Sequence, residues 1–331
     1  MNLEELKKES EEYITYWNEK DPSILRHAED MRIFCIDFNR RLSDEDYTCL
    51  KTGFDRVQRS MNQDRNLSQE DIIKLATDFF GNISEELKER FLRDVNGKFV
   101  CINEKYDHSK CTYFCKTING KTKNFSVVFV KYTGTVYDVF VLVHEYFHSL
   151  TNVLDYKDKL TLNKTSIDAI QESISILGEL ICAKSLAKEY PNETLNLLYS
   201  RIYEQVYLNV NSYATLIRYI SLLQKGTSIE QLQEQFDILE IRDFINAKKI
   251  PLSTEHFWGV ISSVTMINDK KMEQLFNLLK EIYVKVSNQE LEAVKGYIFR
   301  QIFSQKIIEI VKEKKQFFSD SKEEQEIEGK E

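Results

Sequence analysis

Two histidines four residues apart, the first followed directly by a glutamate, occur at His144, Glu145 and His148 in the run Val141-Leu-Val-His144-Glu145-Tyr-Phe-His148-Ser-Leu150. On an α-helix, residues i and i+4 project from one face, so both imidazoles can reach a single cation. Glu145 points about 100° further round, where its carboxylate meets a water on the cation's open position rather than the cation itself. Zinc suits this set. It accepts imidazole nitrogen readily and lowers the pKa of its bound water to about 7, within reach of a carboxylate acting as general base. The neighbouring positions Val139 to Val143, Phe147 and Leu150 are apolar nearly all round the helix, as in a buried segment. Two His and a Glu inside such a helix would each cost about 2 kcal/mol or more without partners. One zinc ion per chain supplies the partner. The competing reading, two core histidines satisfied by backbone carbonyls, needs no metal.

Catalytic zinc takes three protein ligands plus water. The next helical run, Ile170-Gln171-Glu172-Ser-Ile-Ser175-Ile-Leu-Gly-Glu179, offers two carboxylates two turns apart on the face that carries Ser175. An antiparallel return brings Glu172 to His148, so Glu172 is assigned as the third ligand. Glu179 is placed to accept the outer N–H of a ligand imidazole and fix its tautomer, with a solvated helix face as the alternative. Asp168 is a weaker alternative for either role.

Ten Gly and three Pro among 331 residues favour long helices joined by short loops, and hence a mainly α fold. Residues 1–95 read as a helical N-terminal region: Leu3, Leu6, Tyr13 and Trp17 form a stripe, Arg32 to Leu42 follows, and Ser68 with Asp71 opens Ile72 to Phe80 as a capping box. The pattern changes near residue 97. Lys98 to Ile102, Thr112 to Ile118 and Phe125 to Tyr132 are rich in β-branched and aromatic residues, and Asn119-Gly120 marks a hairpin between the last two. A small antiparallel sheet is expected there, ahead of the HExxH helix. Helical spacing resumes after Thr135, in runs at 137–154, 165–190, 193–224 and 270–313. Residues 96–315 thus form the expected catalytic domain, and the charged segment 316–331 is expected to be a disordered tail.

The net charge is −8, the pI about 5.4, and no basic face stands out against phosphate, which argues against nucleic acid as a partner. The charged start lacks the apolar core of a signal peptide, and Val139–Val143, the longest apolar stretch, is too short to cross a bilayer. No membrane association and a cytoplasmic location follow as expectations. Six scattered cysteines without a CxxC pair do not make a disulfide framework. Cys111 and Cys115 read as small strand residues in preference to metal ligands, and His27 and His108 as surface residues.

The run from Tyr132-Thr-Gly134 through Asp138-Val139-Phe140 into His144-Glu145-Tyr-Phe-His148-Ser149 resembles the active-site segment of the oligoendopeptidase F and thimet oligopeptidase family. Glu172-Ser-Ile-Ser175 with Glu179 is similar to that family's third-ligand helix, and residues 195–235 look like the helices that follow. The resemblance implies a helical zincin-like (gluzincin) domain that hydrolyses peptide bonds, with oligopeptides as substrates. It implies His144, His148 and Glu172 as zinc ligands and Glu145 as general base. It also implies that the Phe125–Tyr132 strand is an open edge on which a peptide is laid against Phe125, Val128, Phe129 and Val130; a free edge offers unpaired N–H and C=O groups to such a chain.

Three departures change those expectations. Phe147 stands where the family has glycine, which implies a reshaped wall of the site. Most of the family's N-terminal half, which helps to form its deep channel, has no counterpart, which implies a more open cleft. The late His/Tyr-rich segment corresponds to Glu255-His256-Phe257-Trp258-Gly259-Val260, without the tyrosines. His256 is therefore the expected oxyanion donor, a role whose loss costs about 2.7–4 kcal/mol of barrier; Tyr213 and Tyr297 are alternatives. The same departures motivate a second reading, a zinc-binding pseudoenzyme or a peptide- or protein-binding module without turnover. A third is a helical interaction protein with no metal. Oligomeric state is left open.

Overall fold

The computed structural model describes residues 3–20, 24–60, 66–118, 121–151, 164–246, 254–268, 270–288, 290, 293–294 and 304–312. Five helices come first: α1 (Leu3–Lys20), α2 (Ile24–Arg41), α3 (Asp44–Ser60), α4 (Gln69–Ile83) and α5 (Glu85–Asn96). Their boundaries follow local chemistry. Ser68 Oγ accepts from the Asp71 N–H and Asp71 Oδ2 accepts from the Ser68 N–H, the reciprocal cap expected from the sequence. Ser84 caps α5 on one side only, its Oγ accepting from the Leu87 N–H.

Strands β1 (Val100–Asn103), β2 (Lys110–Ile118) and β3 (Lys121–Lys131) form one sheet in the order β1-β3-β2. β2 and β3 pair antiparallel, with Ile118 opposite Lys121; the Asn119-Gly120 turn itself lies outside the described residues. The sheet is mixed and not wholly antiparallel as expected, because β1 runs parallel to β3, Val100 beside Val128. Side-chain alternation reports which face of a strand is buried and is silent on the direction of its neighbour.

Helices α6 (Tyr137–Leu150) and α7 (Lys164–Ser185) follow the sheet, then α8 (Pro191–Ile202) and α9 (Asn209–Gln224), joined by a π-helical turn over Tyr203–Leu208. Short helices α10 (Ile229–Gln233) and α11 (Ile238–Asn246) lead to α12 (Thr254–Asn268), α13 (Met272–Ser287) and α14 (Ser304–Lys312). The fold is mainly helical, as expected. One apolar core runs from the N-terminal helices into α6 and α7: Phe80 and Phe91 pack against Tyr146, and Leu177 and Ile181 of α7 belong to the same cluster. A smaller cluster joins Leu6 and Tyr13 of α1 to Tyr219, Leu232 and Ile241. Among the described residues, no helix is long and apolar enough to cross a membrane. The 316–331 tail lies outside the described residues.

Candidate metal centre

The entry of α6 is fixed by a buried carboxylate. Asp138 accepts from the N–H groups of Thr133 and Gly134, both at 2.8 Å, and from Thr133 Oγ1 at 2.6 Å. Gly134 has φ 75°, a left-handed conformation that suits glycine, and its carbonyl accepts from the Asn66 and Leu67 N–H groups. The Thr-Gly turn thereby sets both the start and the direction of the ligand helix.

One α-helical turn apart on α6, the two imidazoles meet with Nε2 of His144 and Nε2 of His148 at 3.1 Å. Glu172, from α7, brings Oε1 to 3.4 Å from His148 Nε2 and Oε2 to 3.7 Å from His144 Nε2. Ligand bonds of 2.0–2.1 Å in a tetrahedron leave ligand atoms about 3.3 Å apart. The three observed separations bracket that value, so His144, His148 and Glu172 form a group that could hold a metal ion. Close packing of α12 on α7 brings in His256. A Cβ on Gly259 would stand 2.7 Å from Ile176 Cδ1 and 3.2 Å from the Ser173 backbone, so glycine is what lets these helices approach. His256, one turn earlier on α12, reaches Glu172 Oε2 with its Nε2 at 3.2 Å.

These groups line a cleft of about 390 Å³ together with Glu145, Gln171, Cys111 and Tyr113. Glu145 faces the cleft beside the ligand set and accepts a hydrogen bond from the Cys111 N–H. Burial raises its carboxyl above the usual range, only partly offset by His144 and by that N–H. Burial also pushes the Cys111 thiol up to about 12 and raises the Tyr113 phenol, whose hydroxyl donates to the His148 carbonyl at 3.2 Å. His148 is driven well below an ordinary histidine by burial and by the adjacent imidazoles of His144 and His256.

Glu179 lies on the far side of His144, with Oε2 3.4 Å from Nδ1. It is wholly buried, which settles against a solvated helix face. Arg201 of α8 grips the same carboxylate, donating from Nε to Oε2 at 3.0 Å and from Nη2 to Oε1 at 2.6 Å. Burial opposes ionisation of Glu179, yet Arg201 and His144 hold its carboxyl down at about 2. At His144, burial disfavours the charged ring and Glu179 more than offsets it, so that this imidazole titrates above the usual value.

His144, Glu145, His148 and Glu172 therefore converge, and His256 enters the cleft, against the Glu172 carboxylate. Phe147 does not reshape the wall: its ring turns away from the cleft and packs over Gly178 and near Phe80. The side chains of Asp168, Tyr213 and His27, and residue Tyr297, lie outside what the structure describes; His108 is exposed.

The expected peptide-binding edge needs correction. β3 is the central strand, so Val128 and Phe129 have strand partners on both sides, Val130 pairs with Ile102 of β1, and Val128 and Val130 are buried. Phe125 stacks on Phe114, on the sheet face opposite that of Val128 and Val130. The edge strand beside the cleft is β2. The Val128 N–H donates to Phe99 O, towards β1, so the Cys111–Val128 pair is a non-hydrogen-bonded one. The backbone groups of Cys111, and by alternation those of Tyr113, consequently face outward at an edge with no strand partner among the described residues.

Sequence reasoning also missed Arg201, Tyr113 and Gln171. Arg201 left one signal: a guanidinium within the buried run Leu197-Leu-Tyr-Ser-Arg201-Ile202 requires an anionic partner. Comparison of the chain with family models, curated proteins and solved structures yields no match.

Proposed function

We propose that this chain is a zinc-dependent metallopeptidase that hydrolyses peptide bonds in extended oligopeptides. The observation that carries the reading is the convergence of His144, His148 and Glu172 within one cleft, with Glu145 beside them and the open edge of β2 along its wall. Charge balance supports a divalent cation. Glu145, Glu172 and Glu179 bring three carboxylates, and Arg201 offsets one, so with neutral imidazoles two negative charges remain in a largely buried space. Zinc fits a donor set of two imidazoles and a carboxylate, and when bound it supplies Lewis acidity and makes water acidic near neutral pH.

The chain's own groups then have distinct parts. Glu145, with its carboxyl raised by burial, takes a proton from the attacking water and returns it to the leaving amine. The Cys111 C=O and the outward N–H and C=O of Tyr113 pair with the substrate backbone as an added strand, while the Cys111 N–H holds Glu145. His256, part-exposed at the cleft, donates to the oxygen on which negative charge develops. A reducing, cytoplasmic setting accompanies this reading, since Cys35, Cys49, Cys101, Cys111 and Cys182 are free thiols.

The second reading, zinc binding without turnover, draws support from His256, whose Nε2 faces Glu172 Oε2 at 3.2 Å instead of open substrate space. Elemental analysis and a mixed-peptide cleavage assay on the same preparation separate the cases. The expected outcome is one zinc per chain, absent from His148→Ala and Glu172→Ala, together with peptide cleavage. Stoichiometric zinc without cleavage across pH supports the second reading, and failure of the wild type to retain zinc overturns both.

A further inference from the structure

Among the described residues, Glu179 joins the centre to Arg201, a charged residue outside the cleft. We propose that Arg201 is a positioning residue of the metal centre: by gripping both oxygens of Glu179 it fixes the tautomer of His144, and with it the affinity for zinc. This inference rests on the metal-binding reading above.

The geometry runs in one direction. Arg201 presents two parallel N–H groups to Glu179, Nε to Oε2 and Nη2 to Oε1, a fork that fixes the plane of the carboxylate as well as its position. So oriented, Oε2 stands 3.4 Å from His144 Nδ1. A neutral imidazole carries its proton on one nitrogen only. With the proton on Nδ1, the nitrogen on the Glu179 side, the lone pair of Nε2 is left facing His148 Nε2 and Glu172 Oε2. The opposite tautomer would aim an N–H at the place where a cation belongs. Released from Arg201, the buried Glu179 carboxylate is no longer held in plane, and its rotation removes the preference. Lysine cannot reproduce the grip, because an ammonium is a point charge without the planar fork.

The simpler alternative is that the pair only ties α8 to α7. The two differ in what zinc affinity does. Competition against a chromophoric chelator measures that affinity for wild type, Arg201→Met, Glu179→Gln, the double variant and Arg201→Lys, with cobalt(II) visible spectra as a second readout and melting of the metal-free proteins as a check on folding. A positioning role requires Arg201→Met to weaken zinc by about 10- to 100-fold and to alter the cobalt spectrum. The double variant should bind no more weakly than Glu179→Gln alone, since Arg201 acts through Glu179. Arg201→Lys should recover part of the loss. Affinity within about twofold of wild type in folded Arg201→Met, or losses that multiply in the double variant, would overturn the proposal while leaving the metal centre standing. A wild type that binds no zinc removes both, and a variant that melts early yet binds normally when folded assigns the pair to structure alone.

Discussion

The ring of Phe147 occupies the volume that a side chain on Gly178 would need, so the two residues are a matched large–small pair between α6 and α7. The ring is buried, with Phe80 at 6.0 Å on its other side. Because the pair sits between α6 and α7, it sets how closely these two helices approach. Gly178→Ala should therefore destabilise by about 1–3 kcal/mol through overpacking. Phe147→Ala should cost about 3–5 kcal/mol through the cavity it leaves. Denaturant unfolding of both variants checks the pair, and a neutral Gly178→Ala would show that the helices shift apart without penalty.

Glu145 faces the cleft but is not among the three groups placed to hold a cation. Glu145→Gln keeps the shape and removes the base. It should retain zinc at the wild-type stoichiometry and lose about 10²- to 10⁴-fold in peptide turnover. Cleavage at the wild-type rate by a zinc-loaded Gln variant would remove Glu145 from the mechanism.

Acid should reach the Glu179–Arg201 pair late. A carboxyl lowered from 4.5 to about 2 contributes stability that is present above 4.5 and is lost as pH falls through 2. In chelator-treated protein, unfolding free energy should drop between those two values, and the drop should be shallower in Glu179→Gln. Equal slopes for the two proteins would mean that the pair is not ionised in the folded state.

The Cys111 thiol, raised to about 12 from an ordinary 9.0 chiefly by burial, should carry about a thousandfold less thiolate near neutral pH than a free cysteine. Its alkylation in the metal-free protein, followed by mass spectrometry of peptides, should be correspondingly slow and should accelerate on unfolding. Rapid labelling of Cys111 in the folded state would show that the β2 edge opens.

What could be read from the sequence was whatever depends on a short period. The spacing of His144 and His148 and the two-turn spacing of Glu172 and Glu179 each fix a helix face, and the structure brings all four together. Strand order has no such signature. Phe125–Tyr132 reads as a good strand whether it lies at the edge or in the middle, and only the β1 pairing, formed by a four-residue strand, moves it inside. The partner of Arg201 was hidden for a related reason. Arg201 reaches Glu179 through the packing of α8 on α7, and nothing in a periodic pattern says which of several helices will meet.

The aromatic rings of Phe80 and Phe91 lean on Tyr146, a residue between the two histidines, and the Tyr146 hydroxyl donates to Asp94 at 2.7 Å. Helices α4 and α5 are therefore the floor on which α6 stands. A fragment cut at the start of the sheet would expose that helix's rear face to water, and the price would be the spacing of the imidazoles on its front.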